Sequence, residues 1–324
     1  MGHIGYHASH EQHPPSDLLR HARDAEAAGF TAVSSSDHFT PWSRAQGESG
    51  FAWSWLGAAM AATAVPFGVV NAPGQRYHPA IIAQAMATLV ELFPDRLWVA
   101  MGSGEASNEH ITGDRWPPKA ARNERLRECV EVVRALLRGE EVSVDSHIRV
   151  DRARLWTLPD RVPPIYGAAL SDDTAETCGA WADGLLTVAL PPPELRRLID
   201  AFRAGGGEGR PVVVQVKVAY ADTDDDALAG AFEQWRNNVF ESALMADLET
   251  VEQFEIAGRH VPPEAVGAAV LSSADIGRHL GHLYDVLDCG VEDLFVHHVP
   301  RPQQAFIDAY GDKVVPALRM ELSS

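Results

Sequence analysis

Leu97-Trp98-Val99-Ala100-Met101-Gly102-Ser103-Gly104-Glu105-Ala106-Ser107-Asn108-Glu109 is the stretch on which the reading of this chain turns. An unbroken apolar run closes on Gly-Ser-Gly, and an acid and a helix start follow. A run of five apolar residues without alternation is the pattern of a parallel strand buried on both faces. The glycines let a backbone approach something flat or anionic, and Glu105 projects into the space they leave. In α/β folds chemistry sits at the carboxyl ends of such strands. A lone Gly-x-Gly is more often a tight turn beside a solvated acid, so the rest of the chain must carry the weight.

Outward from this strand the same alternation recurs. Strands are expected at Ile4 to His7, Thr31 to Ser35, Pro66 to Asn71, Pro164 to Leu170, Gly184 to Leu190, Pro211 to Ala221 and Asp293 to Val299. Helices fall between them: one capped by Ser16 and ended by Gly29, and an alanine-rich one from Phe51 to about Thr63. Others run from His78 to Leu92, Leu126 to Leu137, Ser171 to Ala182, Pro193 to Ala204, Asp225 towards Met245, Ser273 to Cys289 and Pro302 to Leu318. Eight strands, each followed by helix, predict an α/β fold of the (β/α)8 TIM-barrel type. The expected organisation is one barrel domain over residues 1–324, with a hairpin insertion near 139–162 and a less regular one near 246–272. A Rossmann sheet fits less well, because no Gly-x-Gly-x-x-Gly follows the first strand.

Composition narrows the function. Of 324 residues 46% are hydrophobic, enough for a large core. Acids outnumber Lys plus Arg by 45 to 27, a net charge of -18, which argues against nucleic acid and anionic membranes as partners. The three cysteines, Cys129, Cys178 and Cys289, are too far apart for a Cys-x-x-Cys site and predict a reducing, cytoplasmic setting. No run reaches membrane-spanning length. His10-Glu11-Gln12-His13 has the wrong spacing for a zinc helix, and no metal is expected.

In a barrel all strand carboxyl ends face one mouth. Glu11, Asp37, His38, Trp42, Asn71, Gly104, Glu105, Asn108, Ser171 and His297 would converge there from different strands. His297 and His298 are adjacent on a strand, so at most one faces the mouth.

Two of these segments, Ser36-Asp37-His38-Phe39-Thr40-Pro41-Trp42 and Gly102-Ser103-Gly104-Glu105-Ala106-Ser107-Asn108-Glu109, carry a family resemblance. The chain resembles the bacterial-luciferase-like oxidoreductases, and within them the branch of the deazaflavin-dependent glucose-6-phosphate dehydrogenases. Ala8-Ser9-His10-Glu11-Gln12, Arg76 through Ala85 and Ala182-Asp183-Gly184 agree with it. The resemblance implies a TIM-type barrel, usually a homodimer, holding FMN or coenzyme F420 at its mouth. It places His38 and Trp42 against an alcohol carbon and the ring, Glu105 near the ring's pyrimidine end, and Glu11 beside the alcohol and its histidine. A cis peptide bulge around Val69-Val70-Asn71 would support the ring's back face. Asp37, Val70, Asn71, Gly104, Asn108, Ser171 and Thr174 are then the cofactor-binding candidates. The chemistry is coherent: histidine is suited to take a hydroxyl proton near neutral pH, an acid such as Glu11 or Asp37 orients it, and the ring carries the hydride. A protonated Glu105 in a dry pocket would donate to the reduced ring.

The resemblance also breaks in places. The cations that hold a sugar phosphate in that branch are missing from Ala189-Leu190-Pro191-Pro192-Pro193 and from Val266 to Leu271. A dianion needs fixed cations, so a small neutral alcohol, aldehyde or enone is expected rather than a sugar phosphate. Ala168-Ala169-Leu170-Ser171-Asp172-Asp173-Thr174 replaces a Gly-Gly phosphate turn, and its hydroxyls and two acids lean towards FMN over F420, with its longer anionic tail. The alternatives are an FMN-dependent monooxygenase served by a flavin reductase, an F420-dependent sugar-phosphate dehydrogenase, a flavin-holding barrel without catalysis, and, more distantly, a barrel metal hydrolase.

Overall fold

The computed structural model describes residues 2–321 and contains eight parallel strands that close on themselves. They are β1 (Ile4–Ala8), β2 (Ala32–Ser35), β3 (Phe67–Asn71), β4 (Leu97–Met101), β5 (Ile165–Ala168), β6 (Leu185–Val188), β7 (Val212–Ala219) and β8 (Asp293–His298). Each pairs with the next, and β8 returns to β1 with Tyr6 opposite Val296. Helices follow the strands, among them α1 (Pro15–Ala27), α2 (Ala52–Ala62), α3 (Pro79–Leu92), α4 (Lys119–Leu137), α5 (Asp172–Gly179), α6 (Pro192–Phe202), α7 (Asp224–Trp235) and α8 (Ile276–Leu287). An antiparallel hairpin joins Val142–Asp145 to Arg149–Ala153.

Alternation along each strand divides the core in two. Val69, Val99, Ile165, Leu185, Val212, Val214 and Val216 point outward into the main core beneath the helices. Ala32, Trp98, Ala100, Tyr166, Leu186, Val213 and Phe295 point inward and fill the base of the lumen. Space there is so tight that a Cβ on Gly68 would stand 1.9 Å from the Trp98 indole, and one on Gly5 would stand 2.3 Å from the Phe295 ring. Large rings on some strands thus require glycine on others. Above this plug the inward positions His7, Ser34, Val70, Gly102, Ala168, Val188, Gln215, Lys217 and His297 form the walls of the mouth. Of these, Val70, Gly102, Ala168, Val188, Gln215 and Lys217 keep accessible surface, so the upper lumen is open.

Several expectations are corrected. The first helix begins after Pro14, not Ser16; Pro15 fits its first turn because that position has no helical acceptor to satisfy. Among the described residues every peptide bond is trans, and β3 pairs with β4 without interruption from Phe67–Leu97 to Asn71–Met101. An unbroken ladder leaves no room for the bulge expected at Val69-Val70-Asn71. The helix from Asp224 stops at Trp235, where Arg236–Asn238 tighten and Asn237 Nδ2 donates to the Trp42 carbonyl at 3.4 Å. The stretch read as irregular holds helices Val251–Gly258 and Pro263–Ala269, the first closed by a Thr250/Gln253 capping box.

Candidate active site

His38, Trp42, Glu105 and Glu11 come together at the mouth. The Glu11 side chain turns back from the β1 loop and is buried. Its Oε2 accepts from the Ser9 hydroxyl at 2.7 Å and the Ser36 hydroxyl at 2.8 Å, and its Oε1 stands 3.4 Å from His38 Nδ1. Burial pushes this carboxyl up, but His38 and the two hydroxyls outweigh it, so Glu11 lies below the usual carboxylate range. With Nδ1 turned to Glu11, His38 keeps Nε2 for another partner. The His38 ring meets Trp42 edge to face at 4.4 Å, and Trp42 meets Trp235 the same way at 5.8 Å.

Glu105 follows β4 and Gly104, whose φ of 84° belongs to the left-handed region that favours glycine. Its carboxyl points inward. Burial raises its pKa above the usual carboxylate range; His38 opposes the rise and Glu11 adds to it. The Trp42 indole faces this carboxyl without closing a hydrogen bond. Glu11 Oε1 and His38 Nδ1 face one another at 3.4 Å, as the Trp42 indole faces the Glu105 carboxyl, so two loosely closed buried pairs meet in one place. Buried pairs held this loosely leave hydrogen-bonding capacity that a ligand at the mouth can take up.

The remaining candidates have other surroundings. Asp37 is buried and used by the protein: Asn71 Nδ2 donates to Oδ2 at 2.8 Å, the Tyr77 hydroxyl to Oδ1 at 3.0 Å, and Arg76 to its carbonyl at 2.8 Å. Asn71 retains an unpartnered Oδ1. Asn108 Oδ1 accepts from the Phe39 N–H at 2.8 Å and ties the Asp-His-Phe loop to the Gly-x-Gly-Glu turn. Glu109 receives the Arg76 N–H at 2.5 Å. Val70 lines the lumen, packed on its apolar base.

Ser171 and Thr174 meet at 2.9 Å at the start of α5. Lys119, absent from the sequence reading, reaches Ser171 Oγ at 3.5 Å from α4. Asp172 is drawn away to Arg197 at 2.6 Å, and Asp173 is exposed. Two hydroxyls, a cation and a helix start therefore suit a phosphate, and the acids do not stand against an anionic tail. His297 faces the lumen and donates from Nε2 to Gln12 Oε1 at 2.7 Å, while His298 stacks outside on Phe306. Gln215 and Lys217 also went unread. Their signal was present, because Val-Gln-Val-Lys-Val alternates where a fully buried strand should not.

Among the described residues no His, Cys, Asp and Glu group could hold a metal ion, and no helix is long and apolar enough to cross a membrane. Two surface depressions, of about 410 Å³ around His13, Arg20 and Arg301 and about 390 Å³ around Arg134 and Pro163, involve none of the four mouth residues.

Comparison with known proteins points the same way. Residues 1–281 match the model of the luciferase-like monooxygenase family. An F420-dependent glucose-6-phosphate dehydrogenase of Beutenbergia cavernae is 32% identical over 98% of this chain and 97% of its own. An F420-dependent hydroxymycolic acid dehydrogenase of Mycobacterium tuberculosis is 34% identical over 98% of this chain and 88% of its own. Among solved structures, an F420-dependent secondary alcohol dehydrogenase in complex with an F420-acetone adduct superposes with a TM-score of 0.91, at 29% identity over 98% of this chain and 99% of that one. The lean towards FMN finds no support in these relatives, whose names specify F420.

Proposed function

Because this chain belongs to the luciferase-like family and is an oxidoreductase, we propose that it uses coenzyme F420 to oxidise a secondary alcohol to a ketone, or to run the reverse. The observation that supports this reading is the Glu11–His38 pair, 3.4 Å apart, with Trp42 and Glu105 gathered against it at the open lumen. When bound, the deazaflavin ring supplies the hydride acceptor. The residues present fit it: Val70, Gly102, Ala168 and Val188 offer a small apolar bed, and Ser171, Thr174 and Lys119 offer a phosphate seat.

His38 takes the hydroxyl proton at Nε2 while Glu11, fixed by Ser9 and Ser36, holds the ring through Nδ1 and stabilises its charged form. Trp42 covers the carbinol and excludes water. Glu105, whose pKa burial raises, would in its protonated form donate to the reduced ring. Glucose 6-phosphate is the second candidate substrate, since relatives of equal similarity are named for it. We propose a homodimer, with the exposed Phe51, Ile81 and Leu92 on and beside α2 and α3 as its apolar face.

The test is spectroscopic. Purified protein mixed with F420 should perturb the cofactor's visible band, and a secondary alcohol should then bleach it with no other reductant. Bleaching that requires an external reductant and oxygen would transfer the assignment to the monooxygenase alternative.

A further inference from the structure

The β7 strand reads Val212-Val-Val-Gln-Val-Lys-Val-Ala219, and its two polar residues share one face. Val213 belongs to the apolar base of the lumen, so Gln215 and Lys217 also point inward, one and two steps nearer the mouth. Val214, Val216 and Val218 on the other face are sealed, whereas Gln215 and Lys217 keep accessible surface, which therefore opens to the lumen. Lys217 Nζ lies 5.7 Å from the Trp235 ring, and that ring adjoins both Trp42 at 5.8 Å and His297 at 5.0 Å. The ammonium thus sits on the same aromatic wall as His38.

Among the described residues neither side chain has a hydrogen-bond partner, and no carboxylate lies within 4 Å of Lys217. The histidines beside it carry no compensating charge. His7 is held neutral by burial, at about 3, and burial drives His297 well below its ordinary value. Burial also lowers Lys217, to about 8, so it remains mainly protonated at neutral pH. A cation inside a barrel without a counter-charge is destabilising unless a ligand brings one.

We propose that Gln215 and Lys217 recognise a carboxylate on the substrate, so that the alcohol oxidised is a hydroxy acid, with its carbinol at His38 and its acid group on β7. This rests on the alcohol-oxidation reading. The carbinol carbon gives its hydride to F420 and its hydroxyl proton to His38, and the carboxylate passes through unchanged. One ammonium and one amide match a single negative charge. A phosphate dianion would leave half its charge unmet here.

The experiment compares 3-hydroxybutyrate with butan-2-ol, and glucose 6-phosphate with glucose, on wild-type holoenzyme and on Lys217→Met and Lys217→Arg. Binding of 3-hydroxybutyrate is also measured calorimetrically on the cofactor-free protein. Lys217→Met removes an uncompensated cation, so its thermal midpoint should not fall. Expected is a loss of about thirtyfold or more in kcat/KM and in binding for 3-hydroxybutyrate, with butan-2-ol and F420 affinity unchanged and Lys217→Arg retaining part of the preference. Equal losses for the acid and the neutral alcohol would overturn the proposal. So would a Lys217→Met effect confined to F420 affinity or spectrum, or a preference for glucose 6-phosphate over the hydroxy acid. If wild type fails to bind F420, the alcohol-oxidation reading falls, while the calorimetric titration still decides whether Lys217 holds a carboxylate.

Discussion

At the scale of single residues, the site depends on Glu11 keeping its charge in a dry place. Two hydroxyls and the neighbouring imidazole hold it ionised against the cost of burial. Glu105, in the same mouth, goes the other way: burial outweighs its neighbours and raises its pKa. Two carboxyls pushed apart by their surroundings are how one site holds an anion and an acid at the same pH. His38→Ala should leave F420 binding within about twofold but lower turnover by about a hundredfold or more, the usual size for a general acid–base group. Stopped-flow bleaching of bound F420 by alcohol checks this, and unchanged bleaching would remove His38 from the proton transfer. His38, Trp42, Glu105 and Glu11 were legible because their motifs are dense. Lys119, Gln215 and Lys217 were not legible, because site residues are expected at strand ends and in loops, whereas these three sit on a helix and inside a strand.

At the scale of elements, strands and loops divide the labour. The strands place side chains by strict alternation, and the loops after β2 and β4 are sewn together by the Asn108–Phe39 and Thr40–Ser107 hydrogen bonds at 2.8 and 2.9 Å. That stitching keeps His38 facing Glu105. The lumen below tolerates no added atom at β3, where a Cβ on Gly68 would overlap the rigid Trp98 indole. Gly68→Ala should therefore cost about 1–3 kcal/mol, the usual range for overpacking. Gly57→Ala, in α2 with only Leu89 at 3.9 Å, should stabilise by about 0.5–1 kcal/mol, because alanine is the better helix former. Urea midpoints of the two variants should move in opposite directions, and a shift of the same sign would contradict the packing account of the lumen. The helix starts at Pro15 and Val251 illustrate what local pattern misses: several residues near each boundary compete as caps, and packing chooses among them.

At the scale of the whole molecule, buried histidines set the response to acid. His7, His13 and His298 are held neutral with pKa values of about 3, mainly by burial, against an ordinary 6.5. Between those values the unfolded chain binds protons that the fold refuses, so stability rises with pH across this window and falls on acidification. Each group contributes about 1.4 kcal/mol per pH unit there, or about 4 kcal/mol per unit for the three together. Glu11 acts in the same direction, since its depressed pKa gives stability above its unfolded value that is lost as pH falls through the folded one. Glu105, raised, works against this trend. Denaturant melts from pH 7 to pH 4 should show stability falling from about pH 6.5 downward, with His297 and the other buried histidines acting in the same direction as these three. A flat profile across that range would mean these histidines titrate normally in the fold.

The sequence by itself determined the eight-fold alternation, the strand that ends in Gly-Ser-Gly-Glu, and the motifs that carry His38, Trp42 and Glu105, because period and motif are local properties of the chain. Only the tertiary structure decided which face of β7 is the inside and that Asp172 turns away to Arg197. It also decided that Asp37 is consumed by Asn71 and Tyr77, and that β3 runs straight where a bulge was expected. These are matters of which distant groups arrive at contact distance. No single segment carries that information, since it is fixed by closure of the barrel as a whole.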